Sequence, residues 1–340
     1  MTASAPTMKA WLYSRTSGGL EKNMHLDPSA RTPPPPKPNE VLVQVLVASL
    51  NPADYKVPEM FFGLAAKLVI GTPASPGMDF CGRVIATGSS VTRFIAGQLV
   101  FGCLSRPVKF GSLAECLSVS ADLIAAVPES VSAEQAAGIG IAGQTALQSL
   151  DGYVKAGDKV FVNGGSGGCG LFAIQIAKGM GCHVTATCST RNIELCRGLG
   201  ADEVIDYTAE KNLSATLRER GAVFDHILDH IGLPYDLYFQ CHHFLRPGGA
   251  FLQVGGNNIM DTHVARVGWP SFLGGGRRKY KIFFFANTQA HVVAIGEMLK
   301  KGTLKVQVDS EYEFEDAVKA FEKLRSGRAR GKVLVHVSKQ

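Results

Sequence analysis

The stretch Val160–Gly181, VFVNGGSGGCGLFAIQIAKGMG, narrows the possible folds more than any other part of the chain. A short apolar run leads into Gly164, Gly165, Gly167, Gly168 and Gly170, and then into an apolar segment with helical spacing. A strand that passes through glycines straight into a helix is the opening unit of a parallel α/β sheet. The chain around it repeats the unit. Ala133–Leu150 has helical apolar spacing. Val184–Thr187, Val204–Asp206, His226–Asp229 and Ala250–Val254 read as strands, with helices expected from Gly170, from Arg191 and over Ala209–Arg220. This alternation predicts a doubly wound parallel sheet covered by helices on both faces.

The flanking sequence has a different texture. Residues 8–126 are β-rich, with strands expected at Val41–Val47, Arg83–Gly88 and Gln98–Gly102. Pro33–Pro36 reads as a stiff surface connection. Residues 259–285 break the α/β rhythm, although Ile282–Ala286 reads as a further strand. The chain ends on an apolar run, Lys332–Val337. A length of 340 residues accommodates two domains, and 46% apolar against 19% charged residues supports sizeable cores.

The same numbers exclude several functions. A net charge of +6 without long Lys/Arg runs argues against nucleic acid but suits a phosphorylated ligand. No uncharged apolar run is long enough for a membrane span, and the N-terminus has no secretory apolar region. The eight cysteines are scattered without a C-x-x-C pair, which fits reduced thiols in the cytoplasm better than disulfides or a structural zinc site.

Gly165-Ser166-Gly167-Gly168-Cys169-Gly170 satisfies the G-x-G-x-x-G pattern of dinucleotide sites. Glycines let the backbone approach a pyrophosphate, and the helix N-terminus offers N–H groups and a positive dipole end. A plain glycine-rich βα loop is the alternative. NAD-preferring sites place an acid on the ribose at the end of the next strand. This chain has Ser189, Thr190 and Arg191 there instead, a set suited to a 2′-phosphate and therefore to NADPH. Arg191 starting a helix in solvent is the plainer reading. No zinc constellation is evident. His242 and His243 are adjacent on an expected helix, and His183 and His291 are isolated. Alcohol oxidation would use such a Lewis acid.

Several longer segments carry a resemblance. They are Ser49–Lys56, Pro76–Val84, Gly111–Glu115, Ala136–Ala146, the glycine loop, Gly200–Tyr207 and Arg330–Val337. Through them nearly the whole chain resembles the zinc-independent medium-chain dehydrogenase/reductase superfamily, in its quinone-oxidoreductase and enoyl-reductase branch. Zinc-dependent members have a cysteine ligand where this chain has Asn51, and Gly-His-Glu where it has Gly77-Met78-Asp79. They also carry a four-cysteine lobe that this chain lacks.

The resemblance implies a GroES-like β-barrel catalytic domain over 1–132 and 288–340, a Rossmann NADPH-binding domain over 133–287, and an active site in the cleft between them. It implies Ser189, Arg191 and Tyr207 as the adenosine-phosphate pocket and Gly165–Gly170 facing the pyrophosphate. Thr145, Val254 and Gly255 would contact the nicotinamide. Gly331 and Lys332 would form a C-terminal cofactor contact, with Lys332 charged near a phosphate. Asn51 and Tyr55 occupy the loop that replaces the zinc ligands, and each can donate a hydrogen bond to a carbonyl oxygen. The plainer reading is that Asn51 caps a turn and Tyr55 packs. The loop's Asp54 is expected to hold it in place.

The expected activity is NADPH-dependent, metal-free reduction of a conjugated C=C bond, in an enone or an enoyl thioester such as a polyketide or other secondary-metabolite intermediate. The expected substrate is an apolar conjugated carbonyl compound. NADPH:quinone oxidoreduction is the alternative, and a non-catalytic NADPH-binding sensor or partner protein is the alternative class. A homodimer is expected through edge-to-edge pairing near Ile282–Ala286. Gly274–Lys279 reads as a mobile basic loop, with recruitment of an acidic partner or an anionic substrate tail as the alternative; Met60–Leu64 reads as pocket or core, and Cys169 as a small packing residue, with an oxidation-sensitive thiol as the alternative.

Overall fold

The computed structural model describes residues 6–210, 212–255 and 268–339. The chain divides into two compact units, Met1–Gln144 with Ala286–Gln340, and Thr145–Phe285.

The first unit is built from strands β1 (Thr7–Tyr13), β2 (Met24–Arg31), β3 (Glu40–Leu50), β4 (Asp79–Thr87), β5 (Leu99–Cys103), β6 (Cys116–Ser120) and β7 (Ile124–Ala126). It also holds α1 (Ala53–Glu59), α2 (Ala133–Ala137) and the start of α3 (Gly140–Leu150). The C-terminal stretch adds β14 (Val308–Glu313) and β15 (Lys332–His336), and a seven-stranded sheet runs β14-β15-β3-β4-β5-β7, with β6 also pairing β3. β3 is the hinge of this sheet. Val41, Val43 and Val45 are fully buried, and from Leu46 to Leu50 every residue is buried, because β4, β6 and β15 cover it along its length. Two further helices, α8 (Gln289–Lys300) and α9 (Ala317–Arg325), complete the unit.

The second unit alternates as expected. It comprises β8 (Lys159–Asn163), α4 (Gly168–Gly179), β9 (His183–Cys188), α5 (Ile193–Gly198), β10 (Glu203–Asp206), α6 (Leu213–Glu219), β11 (Phe224–Asp229), α7 (Leu237–Gln240), β12 (Leu245–Gln253) and β13 (Lys279–Ile282). The strand order is β10-β9-β8-β11-β12-β13, and every pairing is parallel. The order reverses between β8 and β11. In sheets of this kind ligands bind beyond the carboxyl ends of the strands at that reversal. Phe161, Phe224, Phe244 and Phe251 pack with Leu217 and Leu245 into one core, which fixes β8, β11 and β12 side by side.

Several expectations need correction. The helix expected over Ala133–Leu150 is two helices, because the chain turns at Gly138. A Cβ there would meet Val306 at 2.5 Å and the Lys332 side chain at 3.7 Å. The helix expected over Ala209–Arg220 starts only at Leu213, capped by the Asn212 side chain, which accepts from Ala215 N. The last sheet strand is Lys279–Ile282, not Ile282–Ala286, and Phe284 is 75% exposed. Met60–Leu64 is not core. None of its four residues through Gly63 is buried, and Phe61 and Phe62 both take left-handed backbone angles, which side-chain-bearing residues adopt at a cost.

Candidate functional site

The glycine loop follows β8 and enters α4 within four residues. Gly164 has φ +85°, open to glycine at little cost. Its N–H goes to the Thr187 hydroxyl at 2.8 Å, and the next N–H, of Gly165, goes to the Thr187 carbonyl at 2.8 Å. A Cβ on Gly165 would sit 2.8 Å from that of Ala186, and one on Gly170 would be driven into the Gly164 carbonyl. Those three glycines are required by the chain itself. Gly167 is not. Its φ of −83° suits any residue, and a Cβ would meet nothing closer than the Gly164 carbonyl at 3.5 Å. Yet it is the N-cap of α4, a position that ordinarily favours a polar side chain, and no side chain caps the helix there. A bare N-cap with an open face is what a close-lying anion needs.

The elements behind the loop hold it rigidly. Thr187 Oγ1 donates to Asn163 Oδ1 at 2.7 Å, and Asn163 Nδ2 donates to Asp229 Oδ1 at 2.9 Å and to the Leu233 carbonyl at 2.7 Å. Asp229 also accepts from the N–H groups of Ile231 and Gly232. Burial raises its carboxyl above the usual range against those hydrogen bonds. The N–H groups of Val254 and Gly255 both go to the Asp229 carbonyl, at 2.8 and 3.1 Å, so this expected nicotinamide segment is laced to the end of β11.

At the end of β9, Asn192 ties the site together. Its Nδ2 donates to Ser166 Oγ at 3.0 Å and to Ser189 Oγ at 3.2 Å, so the glycine loop and the expected adenosine pocket share one buried amide. Arg191 and Tyr207 are exposed, as a site for an incoming phosphate requires. Thr190 differs from expectation. Its hydroxyl donates to Asp206 Oδ2 at 2.6 Å and lies 2.9 Å from that of Thr208. Those two hydroxyls hold the Asp206 carboxyl below its usual range. Ser189, held by the Asn192 amide, and the exposed Arg191 are other expected members of this pocket. Cys169 is partly buried in the first turn of α4, and Thr145, in α3, is buried.

The other expected residues fall in the first unit. Asn51 Nδ2 donates to Asp79 Oδ2 at 2.8 Å and weakly to the Ser49 carbonyl at 3.4 Å, while Asn51 Oδ1 accepts from Lys332 Nζ at 2.6 Å. Lys332 Nζ also lies 3.3 Å from Asp79 Oδ2. Asp79 Oδ1 takes the Ile141 N–H at 2.9 Å. Asp79 is 0% and Lys332 3% exposed, so this is a closed internal ion pair. Two expectations change. Lys332 does not offer its charge to a phosphate, and Asn51 has both side-chain polar atoms in use. Gly331 is needed at φ +129°, where a Cβ would collide with the Gln307 carbonyl.

Asp54 closes the turn, its Oδ2 accepting from Asn51 N at 2.7 Å. Burial pushes its carboxyl up to about 8, with the Asn51 N–H opposing and the Asp79 charge reinforcing. Folded Asp54 keeps its proton while the unfolded chain loses it near the ordinary carboxyl value of 3.8. The unfolded state then binds fewer protons, so this residue lowers stability progressively from about pH 4 to about pH 8 and by a constant amount above. Asp54→Asn removes that slope. In urea unfolding across this range, the variant should gain on the parent up to about pH 8 and then level off; a pH-independent difference contradicts the assignment. Tyr55 is 9% exposed and lies under the Arg325 guanidinium, 4.0 Å from its ring centroid. Arg325 is itself clamped by Glu21, at 2.7 Å, and by Glu59. Burial raises the Tyr55 phenol, which makes no hydrogen bond among the described residues.

The comparisons with known proteins give the family. Residues 37–146 match the alcohol dehydrogenase GroES-like domain, and residues 199–335 match the zinc-binding dehydrogenase domain. Trans-enoyl reductase pgmF of Aspergillus terreus is 41% identical, over 99% of this chain and 98% of its own. The chain belongs to the medium-chain dehydrogenase/reductase superfamily. The quinone oxidoreductase of Coxiella burnetii, a solved structure, superposes with a TM-score of 0.84 at 31% identity, covering 97% of this chain and 99% of that one. The chloroplastic quinone-oxidoreductase homolog of Spinacia oleracea is 29% identical over 98% of this chain and 99% of its own.

Dehydrogenases of this superfamily use a nicotinamide cofactor, and the chain is an oxidoreductase of that type. The bare N-cap and open face at Gly167 fit its pyrophosphate. Among the described residues no three His, Cys, Asp or Glu side chains are grouped to hold a metal, and Asp79 is already paired with Lys332. No described helix is long and apolar enough to cross a membrane.

The glycine loop and the β9 end were legible because their spacing is local. Asn192, Asn163, Thr187, Asp229 and the Asp79–Lys332 pair were missed as site-forming residues. Each acts through a partner on another strand, and no short spacing marks it.

Proposed function

We propose that the chain is an NADPH-dependent reductase of a conjugated C=C bond, in an enone or enoyl thioester, acting without a metal. The observation that carries this reading is the open Gly167 cradle tied through Asn192 to Ser189 beside the exposed Arg191; the residues that directly follow β9, Ser189 to Asn192, include no acid, and the nearby Asp206 carboxylate is engaged by Thr190 and Thr208. The N–H groups opening α4 and its dipole receive the pyrophosphate. Ser189 and Arg191 hold the 2′-phosphate, and Tyr207 covers the adenosine side. When bound, reduced nicotinamide supplies the hydride that saturates the double bond. In the first unit Tyr55, with its hydroxyl unengaged, is the donor to the substrate carbonyl oxygen, where charge develops. Asn51 is scaffold. The trans-enoyl reductase likeness at 41% identity supports the substrate class. Quinone reduction is the second reading, favoured by the Coxiella likeness.

The test is turnover of NADPH or NADH with a panel of enones, enoyl thioesters and quinones, with products identified. Saturation of a C=C bond with NADPH supports the first reading, and turnover of quinones alone supports the second. Tight NADPH binding without turnover of any of them would move the chain to the sensor class. Arg191→Ala is expected to raise the NADPH KM about tenfold or more, the scale of a lost charge-assisted contact, with the NADH KM nearly unchanged. Equal effects on both cofactors would remove Arg191 from the 2′-phosphate site.

We also infer a homodimer formed through β13. Among the described residues that strand ends the sheet with β12 as its one neighbour, and such an edge favours pairing. Eight free cysteines support a reducing compartment such as the cytoplasm.

A further inference from the structure

Arg325 is the last residue of α9, and its guanidinium lies over the Tyr55 ring of α1, 4.0 Å from the ring centroid. Its edges are taken by two carboxylates. Nε donates to Glu21 Oε2 at 3.0 Å, Nη2 donates to the same oxygen at 2.7 Å and to Glu59 Oε1, and Nη1 donates to Glu59 Oε2 at 3.2 Å. Four of the five N–H groups are used in this way, so the guanidinium presents its flat face to the ring. The carboxylates come from different elements. Glu21 stands in the turn Leu20–Asn23 that follows β1, and Glu59 ends α1, where its Oε1 also accepts from Leu20 N at 2.7 Å. One carboxylate is enough to neutralise a guanidinium. A second, from another direction, fixes its plane.

That plane is what orients Tyr55. The phenol oxygen has no hydrogen-bond partner among the described residues, and it is not one of the polar atoms sealed from solvent. No described residue therefore holds the ring by its oxygen, and the guanidinium holds it by its face. A cation over a ring face also draws on the ring electrons. Burial raises the phenol, and Arg325 is the largest influence against that, with Glu59 and Glu21 working against the arginine. An O–H made more acidic is a stronger donor to an oxygen on which charge develops.

We propose that Arg325 is a positioning residue for Tyr55: held in plane by Glu21 and Glu59, its guanidinium sets the phenol ring and polarises the hydroxyl for the substrate carbonyl oxygen. The proposal rests on the reading above that Tyr55 is the donor. The test is kcat and the NADPH KM with crotonyl N-acetylcysteamine thioester and with methyl vinyl ketone, for the parent, Arg325→Lys, Tyr55→Phe and the double variant, each with its thermal midpoint. Lysine keeps the charge and loses the plane, whereas phenylalanine keeps the ring and loses the hydroxyl. Tyr55→Phe should lower kcat about a hundredfold, the scale of a lost donor to a developing oxyanion. Arg325→Lys should lower kcat about tenfold, as a misaligned donor does, with the NADPH KM within about twofold. In the Tyr55→Phe background the same change should alter kcat by less than about twofold, because no hydroxyl is left to aim. An equal loss in both backgrounds means that Arg325 merely holds the fold, and an unchanged kcat in Arg325→Lys means that the ring is aimed without it; either overturns the proposal. Full activity in Tyr55→Phe removes the donor reading and the proposal with it, while leaving the cofactor reading in place. A parent chain that reduces neither probe overturns the reductase reading and the proposal together.

Discussion

Replacing Lys332 with methionine should remove about 3–5 kcal/mol of stability from the first unit, the usual cost of breaking a buried ion pair from one side. Methionine fills nearly the same volume, so lost packing is minor. What is lost is the ammonium that faces Asn51 Oδ1 at 2.6 Å and Asp79 Oδ2 at 3.3 Å. Asp79 is then left wholly buried with a charge and no cation. Burial already raises its carboxyl, and Lys332 is the largest influence holding it down. The single variant should therefore also regain stability as the pH is lowered and Asp79 takes up a proton. Adding Asp79→Asn should restore more than half of the loss, because a neutral amide no longer needs the cation. Urea unfolding of the parent, both single variants and the double variant gives the coupling directly. A Lys332→Met protein within about 1 kcal/mol of the parent would show that the pair is solvated and not structural.

A second large effect separates folding from binding. Gly167→Asp should leave the thermal midpoint unchanged or slightly raised, yet weaken dinucleotide binding about a hundredfold. Aspartate is a favoured N-cap, the backbone there is in an ordinary region, and a Cβ has 3.5 Å of clearance to the Gly164 carbonyl. The chain thus loses nothing by the change. The ligand loses the open face, and a carboxylate takes the place where its own negative charge would meet the helix dipole. Gly170→Ala is the contrast. Its methyl group would be driven into the Gly164 carbonyl, a backbone atom that cannot step aside, so folding and binding should fall together. Thermal denaturation and cofactor titration of the two variants distinguish the roles. Undiminished binding by Gly167→Asp would be fatal to the cradle.

The sequence alone carried the parallel α/β half of the molecule, because strand and helix periods and the glycine spacing are local properties. It misplaced what has no period. Four apolar residues at Ile282–Phe285 look like a strand, but the sheet takes Lys279–Ile282, in register with Ala250–Gln253. The break at Gly138 was equally hidden, since the Val306 and Lys332 side chains that crowd it come from far along the chain.

The site divided along the same line. Gly165–Gly170, Ser189 and Arg191 were readable as one strand–turn–helix and the end of the next strand. The roles of Asn51 and Lys332 were not. Read along the chain, Asn51 is a donor in a loop and Lys332 a cation beside a glycine. Folding brings Lys332 against Asp79, 253 residues away, and takes both out of water. There a charge must be met by its nearest opposite, and it is no longer available to a ligand. Local spacing determined the strand–glycine–helix unit; burial, decided only when β3, β4 and β15 paired, took Asn51, Asp79 and Lys332 out of water and into one another's company.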